Sequence, residues 1–281
     1  MNYGIANNTG QPSQEEIDQI VKYSVENGIS YFDTAQSYGE SENVLGKAIA
    51  KLENKNLVKI ISKLSPNILL DNNNRIIYSV ENSLEKLNIS QLYGFLAHRI
   101  EIIDSFHFQS VIKSLKSNKK ILKCGVSVYS PTEALKALET PFIEILQIPF
   151  NILDKRWVEM DIFKRAEEKN ITLFFRSIFL QGLIFLREDE LEKKGMGWAK
   201  PYLDVFHKLV KETSFSPLEL SFRILSNISE NNVIILGVET IEQLKKNVEI
   251  INNLNDYKFS TKSWWEQIPY IPRELLNPSL W

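Results

Sequence analysis

The sequence predicts an α/β protein of the (β/α)₈ TIM-barrel class in which seven of the eight strands are recognisable. Strand-like and helix-like segments alternate along most of the chain, a pattern that is typical of a parallel sheet covered by helices. The strand-like segments are apolar at nearly every position, as expected of strands buried on both faces. Seven strand and helix pairs are present, one fewer than a complete barrel contains.

Size and composition favour a single barrel domain spanning residues 1–281. The 281 residues are 43% hydrophobic and 24% charged, which is typical of a globular domain with a sizeable core. A doubly wound open sheet is the alternative architecture. It is disfavoured because no G-x-G-x-x-G stands at a strand-to-helix turn, where such a sheet would hold a dinucleotide.

The individual elements follow from capping signals and hydrophobic periodicity. Ser13 and Glu16 form an S-x-x-E capping box at the start of the first helix, and Asn27 and Gly28 end it. A 3.6-residue apolar stripe predicts each later helix, and an unbroken apolar run predicts each strand. The predicted strands are 29–33, 58–63, 92–98, 121–128, 143–149, 171–177 and 232–237. The predicted helices are 13–28, 41–52, 74–88, 104–117, 131–139, 157–169, 201–213, 217–228 and 240–254.

Charge and cysteine content exclude several classes of function. The net charge is −2 and charges of both signs are interspersed, so no basic stripe is available for a nucleic acid or an anionic membrane. The single cysteine, Cys124, excludes an internal disulfide and a thiolate metal cluster, and we predict no metal site. No apolar run approaches the ~18 residues that span a bilayer, and the first residues do not resemble a signal peptide. We therefore predict a cytoplasmic protein.

Ionisable residues end three consecutive predicted strands. Asp33, Lys63 and His98 stand at the carboxyl ends, and Tyr38 lies in the loop after Asp33. These ends meet on one face of a barrel, which is where TIM-barrel active sites lie. Taken singly, the aspartate has the alternative role of a turn former, the lysine that of a solvated residue and the histidine that of a core residue. Together, beside a tyrosine, they favour a catalytic site.

This set of residues predicts the delivery of a proton to a carbonyl oxygen. A free tyrosine is a weak acid at neutral pH, and a neighbouring ammonium, here Lys63, favours its phenolate form. Asp33 would hold Lys63 charged and oriented, and His98 would donate a hydrogen bond to the carbonyl group. None of these side chains supplies a hydride, so the reaction requires an external hydride donor.

The residues around these positions resemble the signature blocks of the aldo-keto reductases. FDTAQSYGESENVLGKAI is similar to the family pattern D-T-A-x-x-Y-G-x-S-E-x-x-L-G, and ISK, LAHR, GVSVYS, LQIPFN and ILGVETIEQLKKN follow in the family order. The resemblance covers essentially the whole chain from Tyr3 onward. It implies that Asp33, Tyr38, Lys63 and His98 form a catalytic tetrad with Tyr38 as the proton donor. It also implies reversible hydride transfer from NAD(P)H to an aldehyde or ketone.

The resemblance further implies a site for NADP or NAD. Ser127 and Gln147 match positions that hold the nicotinamide carboxamide, although Val128 stands where many members have asparagine. Arg176 stands where a ring often stacks on the nicotinamide, and a guanidinium plane can stack in the same way. The positions that match the pyrophosphate loop and the adenine end are Ser177, Phe179, Gly237, Thr240, Gln243 and Asn247.

The choice between the two cofactors is left open by the sequence, with a slight preference for NAD. Members that prefer NADP usually carry basic residues at the adenine end, where this chain has Glu239 and Gln243. Lys245 and Lys246 follow on the same predicted helix, and we expect them to face water rather than to pair with a 2′-phosphate.

The beginning of the chain departs from the family pattern. Relatives with a YGIAN-like segment normally have an upstream strand that closes the barrel, whereas here Met1 and Asn2 directly precede Tyr3. We expect the natural protein to begin some residues earlier. A sheet of seven strands would leave the edges at 29–33 and 232–237 unpaired, and unpaired edges invite association.

Two functions remain compatible with the sequence, because a barrel fold alone does not choose between them. One is a reductase acting on a small-molecule carbonyl compound, which the complete tetrad favours. The other is a catalytically impaired, nucleotide-binding regulatory protein, which the missing strand favours. The substrate and the oligomeric state are left open. Four aromatic residues either line the barrel mouth or pack the tail against the barrel: Phe185, Trp198, Trp264 and Trp265.

Overall fold

The structure is a computed structural model that describes residues 10–213, 215–228, 232–254 and 261–281. The YGIAN segment at 3–7, and Met1, on which the expectation of an earlier start depends, lie outside the described residues.

Seven parallel strands form one curled sheet, as predicted. The strand order follows the chain, so each strand pairs with the one before it and the one after it. The inner strands are almost completely buried, because helices cover the outside of the sheet and side chains fill its inside. The strands are β1 (Tyr31–Asp33), β2 (Lys59–Leu64), β3 (Leu92–Ala97), β4 (Ile121–Ser127), β5 (Ile145–Pro149), β6 (Thr172–Arg176) and β7 (Asn232–Ile234).

Helices connect the strands, and most of the long ones begin at a polar residue that caps the first turn. Ser13 forms the predicted capping box with Glu16. Among the described residues, no helix is both long enough and apolar enough to cross a membrane. The helices are α1 (Gln14–Glu26), α2 (Ser41–Ala50), α3 (Asn73–Leu87), α4 (Phe106–Ser117), α5 (Pro131–Leu138), α6 (Arg156–Glu159), α7 (Ile162–Glu168), α8 (Glu188–Lys193), α9 (Lys200–Thr213), α10 (Pro217–Ser226), α11 (Ile241–Asn252), α12 (Thr261–Gln267) and α13 (Arg273–Leu276).

The single helix predicted over 157–169 is wrong, because two short helices, α6 and α7, occupy this region. Asp161 between them has a φ angle of 54°, a left-handed conformation that interrupts a right-handed helix. Trp157 and Ile162 on either side are both buried. The apolar pattern is therefore continuous across the break, and periodicity does not reveal it.

The inside of the sheet contains a small apolar cluster, separate from the larger core between the sheet and the helices. Two glycines make room for it. A Cβ atom on Gly94 would lie 2.8 Å from Cδ1 of Ile145, and one on Gly125 would lie 2.3 Å from the carbonyl oxygen of Ile145. The fully buried members of the cluster are Ile61, Leu96, Ile145 and Phe174.

Within the described residues the sheet is open, but the first and last helices around it meet. Within the described part of the chain, β1 pairs with β2 alone and β7 with β6 alone, so both predicted edges are unpaired. On the outside, α1 packs against α11. Ile20 of α1 shares a buried cluster with Leu244 and Val248 of α11. The first and last repeats are therefore neighbours in space.

Two of the four aromatic residues that were expected near the mouth or the tail pack the tail against the barrel. The side chain of Trp264 is 1% exposed, and its indole N–H donates a hydrogen bond of 2.8 Å to the carbonyl oxygen of Ile152. Trp265 is also buried and contacts the ring of Phe150. Phe185 and Trp198 are exposed.

Candidate active site

Six consecutive strands present a polar side chain to the inside of the sheet near their carboxyl ends. Side chains alternate in direction along a strand, so residues two positions apart face the same way. Lys63 follows Ile61 of the interior cluster by two positions, and Arg176 follows Phe174 in the same way. The six polar residues are Asp33, Lys63, His98, Ser127, Gln147 and Arg176. The structure thus brings six of the predicted site residues to one end of the sheet.

The ammonium of Lys63 is buried and held by three hydrogen bonds. The side chain is 1% exposed. Nζ donates to Oδ1 and Oδ2 of Asp33 at 2.8 and 2.7 Å and to the carbonyl oxygen of Thr34 at 2.8 Å. An ammonium has three donors, and a buried one requires a counter-ion and satisfied donors. Lys63 is therefore fixed in place and points into the site.

Tyr38 lies above this pair, on the loop between β1 and α2. Its ring centroid is 4.9 Å from Nζ of Lys63 and 5.9 Å from the centroid of His98, with the two rings edge to face. The three hydrogen bonds that Lys63 donates go to Asp33 and Thr34. Its ammonium is therefore a charged neighbour of the Tyr38 ring and not a hydrogen-bond partner of it. The predicted neighbourhood of amine, phenol and imidazole is present.

The loop that carries Tyr38 is fixed by Gln36. Nε2 of Gln36 donates to the carbonyl oxygen of Ser79 and to Oγ of Ser83 in α3, each at 3.0 Å, and its Oε1 accepts from the backbone N–H of Ser65 at 2.9 Å. These bonds tie the loop to both α3 and the end of β2. Tyr38 is thereby held over the barrel mouth.

The rest of the signature segment supports the loop from α2. The carboxylate of Glu42 is buried and accepts a hydrogen bond of 2.6 Å from Oγ of Ser62 in β2. Gly46 lies so close to the end of α3 that a Cβ atom would be 2.1 Å from the carbonyl oxygen of Lys86. Glu42 and Gly46 therefore have structural reasons for their places after the tyrosine.

His98 directly follows β3 and is neutral at physiological pH. Burial, together with the nearby positive charges of Lys63 and Arg176, lowers the pKa of His98 to about 4. Nδ1 lies 3.3 Å from Oγ of Ser37, in the same loop as Tyr38. A neutral imidazole has one N–H donor and one acceptor, so His98 can offer a hydrogen bond to a neutral oxygen without carrying charge.

Gln147 connects the predicted cofactor site to the Asp33–Lys63 pair. Its Nε2 donates to Oδ1 of Asp33 at 2.8 Å. Its Oε1 is the one buried side-chain polar atom in the described part of the chain that has no hydrogen-bond partner. Ser127, the paired residue on β4, is also buried. Val128, which stands where many relatives have asparagine, packs in the outer core and does not face this site.

The guanidinium of Arg176 lies over the ring of Tyr129, in the loop that follows β4. Its guanidinium carbon is 4.6 Å from the centroid of that ring, and Nη2 donates to the carbonyl oxygen of Val128 at 3.3 Å. The next residue, Ser177, has a φ angle of 58°, which is uncommon for a residue other than glycine. Phe179 packs against Phe185, with ring centroids 4.9 Å apart. Its ring therefore packs within the segment that follows β6.

The predicted adenine-end residues lie in the loop after β7 and on α11. Thr240 caps α11 by accepting from the backbone N–H of Gln243 at 3.2 Å, and Oε1 of Gln243 accepts from the backbone N–H of Glu239 at 2.8 Å. Gly237 is exposed, whereas Asn247 is buried on the helix. Thr240 and Gln243 thus lie at the start of α11, and Asn247 lies about two turns further along the same helix.

Several contributors to the site are not identified by the sequence reasoning. These are Ser37 beside His98, the carbonyl oxygen of Thr34 that binds Lys63, and Tyr129 beneath Arg176. These residues lie in the loops after β1 and β4. Because βα loops form the active-site face of a barrel, that position alone makes them candidates for the site.

Comparison with known proteins agrees with this architecture. The model of the Aldo/keto reductase family matches residues 1–262. The chain is 26% identical over 175 residues to Aldo-keto reductase YhdN of Bacillus subtilis (strain 168), a match that covers 59% of this chain and 53% of that protein. The matched segment thus spans about half the length of that curated relative.

Two solved structures share the fold. The thermostable aldo-keto reductase Tm1743, in complex with the inhibitor epalrestat, superposes with a TM-score of 0.71 at 21% identity and covers 95% of this chain and 93% of that one. Aldo-keto reductase AKR11C1 from Bacillus halodurans, in its holo form, gives a TM-score of 0.72 at 20% identity, with coverages of 92% and 88%. These structures show the barrel fold, and the family model extends over nearly the whole chain. The chain therefore belongs to the aldo/keto reductase family.

Proposed function

We propose that the protein is an oxidoreductase that reduces an aldehyde or ketone to an alcohol with NADH or NADPH. The observation that carries this proposal is the group of Asp33, Lys63, Tyr38 and His98 at one end of the sheet, with a buried amine 4.9 Å from the phenol ring. We further propose a diffusible small-molecule carbonyl substrate and a cytoplasmic location.

The residues around Gln147 fit a nicotinamide cofactor. The unpartnered Oε1 of Gln147 is a buried acceptor, and leaving such an atom unsatisfied costs about 1–3 kcal/mol. The carboxamide N–H of a nicotinamide is a donor of the required kind. Ser127 and Gln147 would hold this group, and Arg176 would lie beside the ring. When bound, a reduced nicotinamide supplies the hydride that no side chain provides.

In the proposed mechanism the side chains supply the proton that the carbonyl oxygen receives. Tyr38 gives its hydroxyl proton to the carbonyl oxygen as the carbonyl carbon is reduced, and water returns a proton to the phenolate. The charge of Lys63 stabilises that phenolate, and Asp33 holds Lys63 protonated and oriented. The neutral His98 donates a hydrogen bond to the carbonyl oxygen and orients it. General acid catalysis of this kind contributes on the order of 10²–10⁴-fold.

We propose a slight preference for NAD over NADP. Glu239 and Gln243 occupy the adenine end, and Lys245 and Lys246 are exposed on α11. Nζ of Lys245 lies 5.9 Å from the ring of Tyr23 in α1, so this lysine turns toward the neighbouring helix. Titration of the protein with NADH and with NADPH measures the preference directly.

The experiment that tests the proposed function replaces Tyr38 by phenylalanine. With a reactive aromatic aldehyde as substrate, oxidation of the reduced nicotinamide is followed by its absorbance. We expect Tyr38→Phe to lower kcat/KM by about 10²–10⁴-fold, because the acid is removed while the ring remains. Tyr78→Phe is the matched control, since Tyr78 is exposed on α3, and it should behave like the unchanged protein. Full turnover by Tyr38→Phe would refute the assigned acid.

Among the residues that the structure describes, the outer edges of β1 and β7 are unpaired, and this favours a second candidate function. A regulatory protein that binds the nucleotide on the same barrel, with little turnover, fits an incomplete sheet. The same assay separates the two functions. Cofactor binding without any oxidation of the cofactor across a panel of aldehydes and ketones would support the regulatory role.

A further inference from the structure

Arg176 differs from the other arginines that are covered by the fold, because it has no carboxylate partner. In the described part of the chain, three arginines are not exposed, namely Arg156, Arg176 and Arg223. Arg156 pairs with Asp154 at 2.7 Å, and Arg223 pairs with Glu219 at 2.8 Å. No carboxylate of the described residues forms an ion pair with Arg176. A partly buried charge without a counter-ion is unfavourable, so this guanidinium lacks the partner that the other two possess.

The donors of Arg176 that have no protein partner are accessible to a ligand. A guanidinium carries five N–H donors in one plane. Nη2 donates to the carbonyl oxygen of Val128 at 3.3 Å, and the ring of Tyr129 lies against the group. Oε1 of Gln147 is the one buried side-chain polar atom without a partner among the described residues, so the other donors of Arg176 are reachable from solvent.

Stacking on a ring and binding an oxyanion are compatible roles for Arg176. Rings contact the faces of a guanidinium, whereas its donors point outward along the edge. The edge matches the two oxygens of a carboxylate. A nicotinamide ring beside the face of Arg176 therefore leaves edge donors available to an oxyanion.

The surroundings of His98 contain more positive than negative charge. Burial lowers the pKa of His98 most, and three cations lower it further, namely Lys63, Arg176 and Arg99. The carboxylate that acts in the opposite direction is Asp33, which already pairs with Lys63. Because that pair is neutral as a whole, the positive charge of Arg176 is not balanced. A cleft with an excess of one charge concentrates ligands of the opposite charge.

We propose that Arg176 binds an oxyanion and that this oxyanion is a carboxylate of the substrate. The substrate is then an aldehyde or ketone that also carries a carboxylate. A phosphate of the cofactor is the other source of the same chemistry. The substrate is favoured because Arg176 faces the inside of the sheet, as Lys63 does, and its charge acts on His98, which contacts the carbonyl group in the proposed mechanism. This inference rests on the proposed function and adds the substrate class to it.

Matched pairs of aldehydes test the proposal. The probes are the ortho, meta and para isomers of formylbenzoate, which hold the carboxylate at three distances from the aldehyde. Each acid is compared with its methyl ester, which keeps the ring and removes the charge. The quantity measured is the ratio of kcat/KM for the acid to kcat/KM for the ester at saturating reduced nicotinamide. An effect of a substitution on folding or on the cofactor enters both values and cancels in the ratio.

We expect the unchanged protein to prefer at least one acid to its ester. Arg176→Met should lower the ratio for that isomer by about 10–100-fold, because charge-assisted hydrogen bonds to the carboxylate are lost. Arg176→Lys should lower it less, because the charge remains while the planar fork is lost. Arg165→Met is the matched control, since Arg165 is exposed on α7, and it should leave the ratio unchanged. Fluorescence titration gives the Kd of the reduced cofactor for each variant.

The outcomes that would overturn the inference are distinguishable. If the unchanged protein prefers no acid, or if Arg176→Met leaves the ratio unchanged, the substrate class is wrong while the proposed function stands. An unchanged ratio with cofactor binding weakened by about tenfold or more assigns the oxyanion to the cofactor. Loss of the preference in Arg99→Met and not in Arg176→Met assigns it to the wrong arginine. If none of the acids or esters is reduced, the proposed function fails and this inference fails with it.

Discussion

Acidification provides a direct test of the neutral state of His98. A histidine in the unfolded chain has a pKa of about 6.5, whereas burial and the nearby cations lower the pKa of His98 in the native protein to about 4. Between these values the unfolded chain binds more protons than the native protein. The free energy of unfolding therefore falls as the pH falls from about 6.5 to about 4, and this contribution does not change above pH 6.5.

The magnitude follows from the difference between the two pKa values. One pKa unit corresponds to about 1.4 kcal/mol, so a difference of about 2.5 units gives at most about 3.5 kcal/mol, and solvent screening reduces it to about 2 kcal/mol. Carboxylates also titrate in this range, but they do so equally in a His98→Asn variant. The quantity to compare is therefore the difference in unfolding free energy between the two proteins.

Urea denaturation at a series of pH values between 7 and 4 measures this difference. We expect the unchanged protein to lose about 2 kcal/mol more than His98→Asn over that range. An NMR titration of His98 gives an independent readout. Parallel loss of stability in both proteins, or a His98 signal that titrates near pH 6.5, would refute the reasoning.

Two further predictions concern packing and the buried ion pair, and both are checked by urea denaturation. Gly46→Ala should lower the free energy of unfolding by about 3 kcal/mol, because its Cβ would lie 2.1 Å from the backbone oxygen of Lys86; Gly237→Ala, which has open space around it, should have little effect on stability. Lys63→Met should cost about 3 kcal/mol because it leaves Asp33 without its counter-ion, and adding Asp33→Asn should recover most of that loss. If the double variant is no more stable than Lys63→Met alone, the unpaired carboxylate of Asp33 is not the cause of the loss.

The strands and the positions at their ends are predictable from sequence for a simple reason. A strand buried on both faces is an unbroken apolar run, so its end is marked by the first charged or polar residue. Asp33 and His98 are identified in this way from the order of residues alone, whereas Lys63 follows two polar residues of its own run, Lys59 and Ser62, and is identified as the last residue of the predicted strand 58–63. Because parallel strands align their carboxyl ends, residues that end neighbouring strands are also neighbours in space.

Contacts that depend on side-chain direction are not predictable in this way. The hydrogen bond from Gln147 to Asp33 joins residues 114 positions apart, and no local pattern indicates it. The contact of Arg176 with the ring of Tyr129 likewise depends on how the end of β6 and the loop after β4 approach each other. The break at Asp161 depends on one left-handed backbone angle in an otherwise helical apolar pattern. In each case a three-dimensional arrangement decides between options that the sequence permits equally.

The contact between α1 and α11 has a consequence for how the protein folds. Since strand order follows chain order, each strand can join its predecessor through the single connection between them, and assembly can proceed locally. The cluster of Ile20, Leu244 and Val248 cannot form in this way, because it requires every intervening repeat to be in place. We therefore expect this helix pair to assemble last. Amide hydrogens in α1 and α11 should accordingly exchange with solvent sooner than those of the central strands.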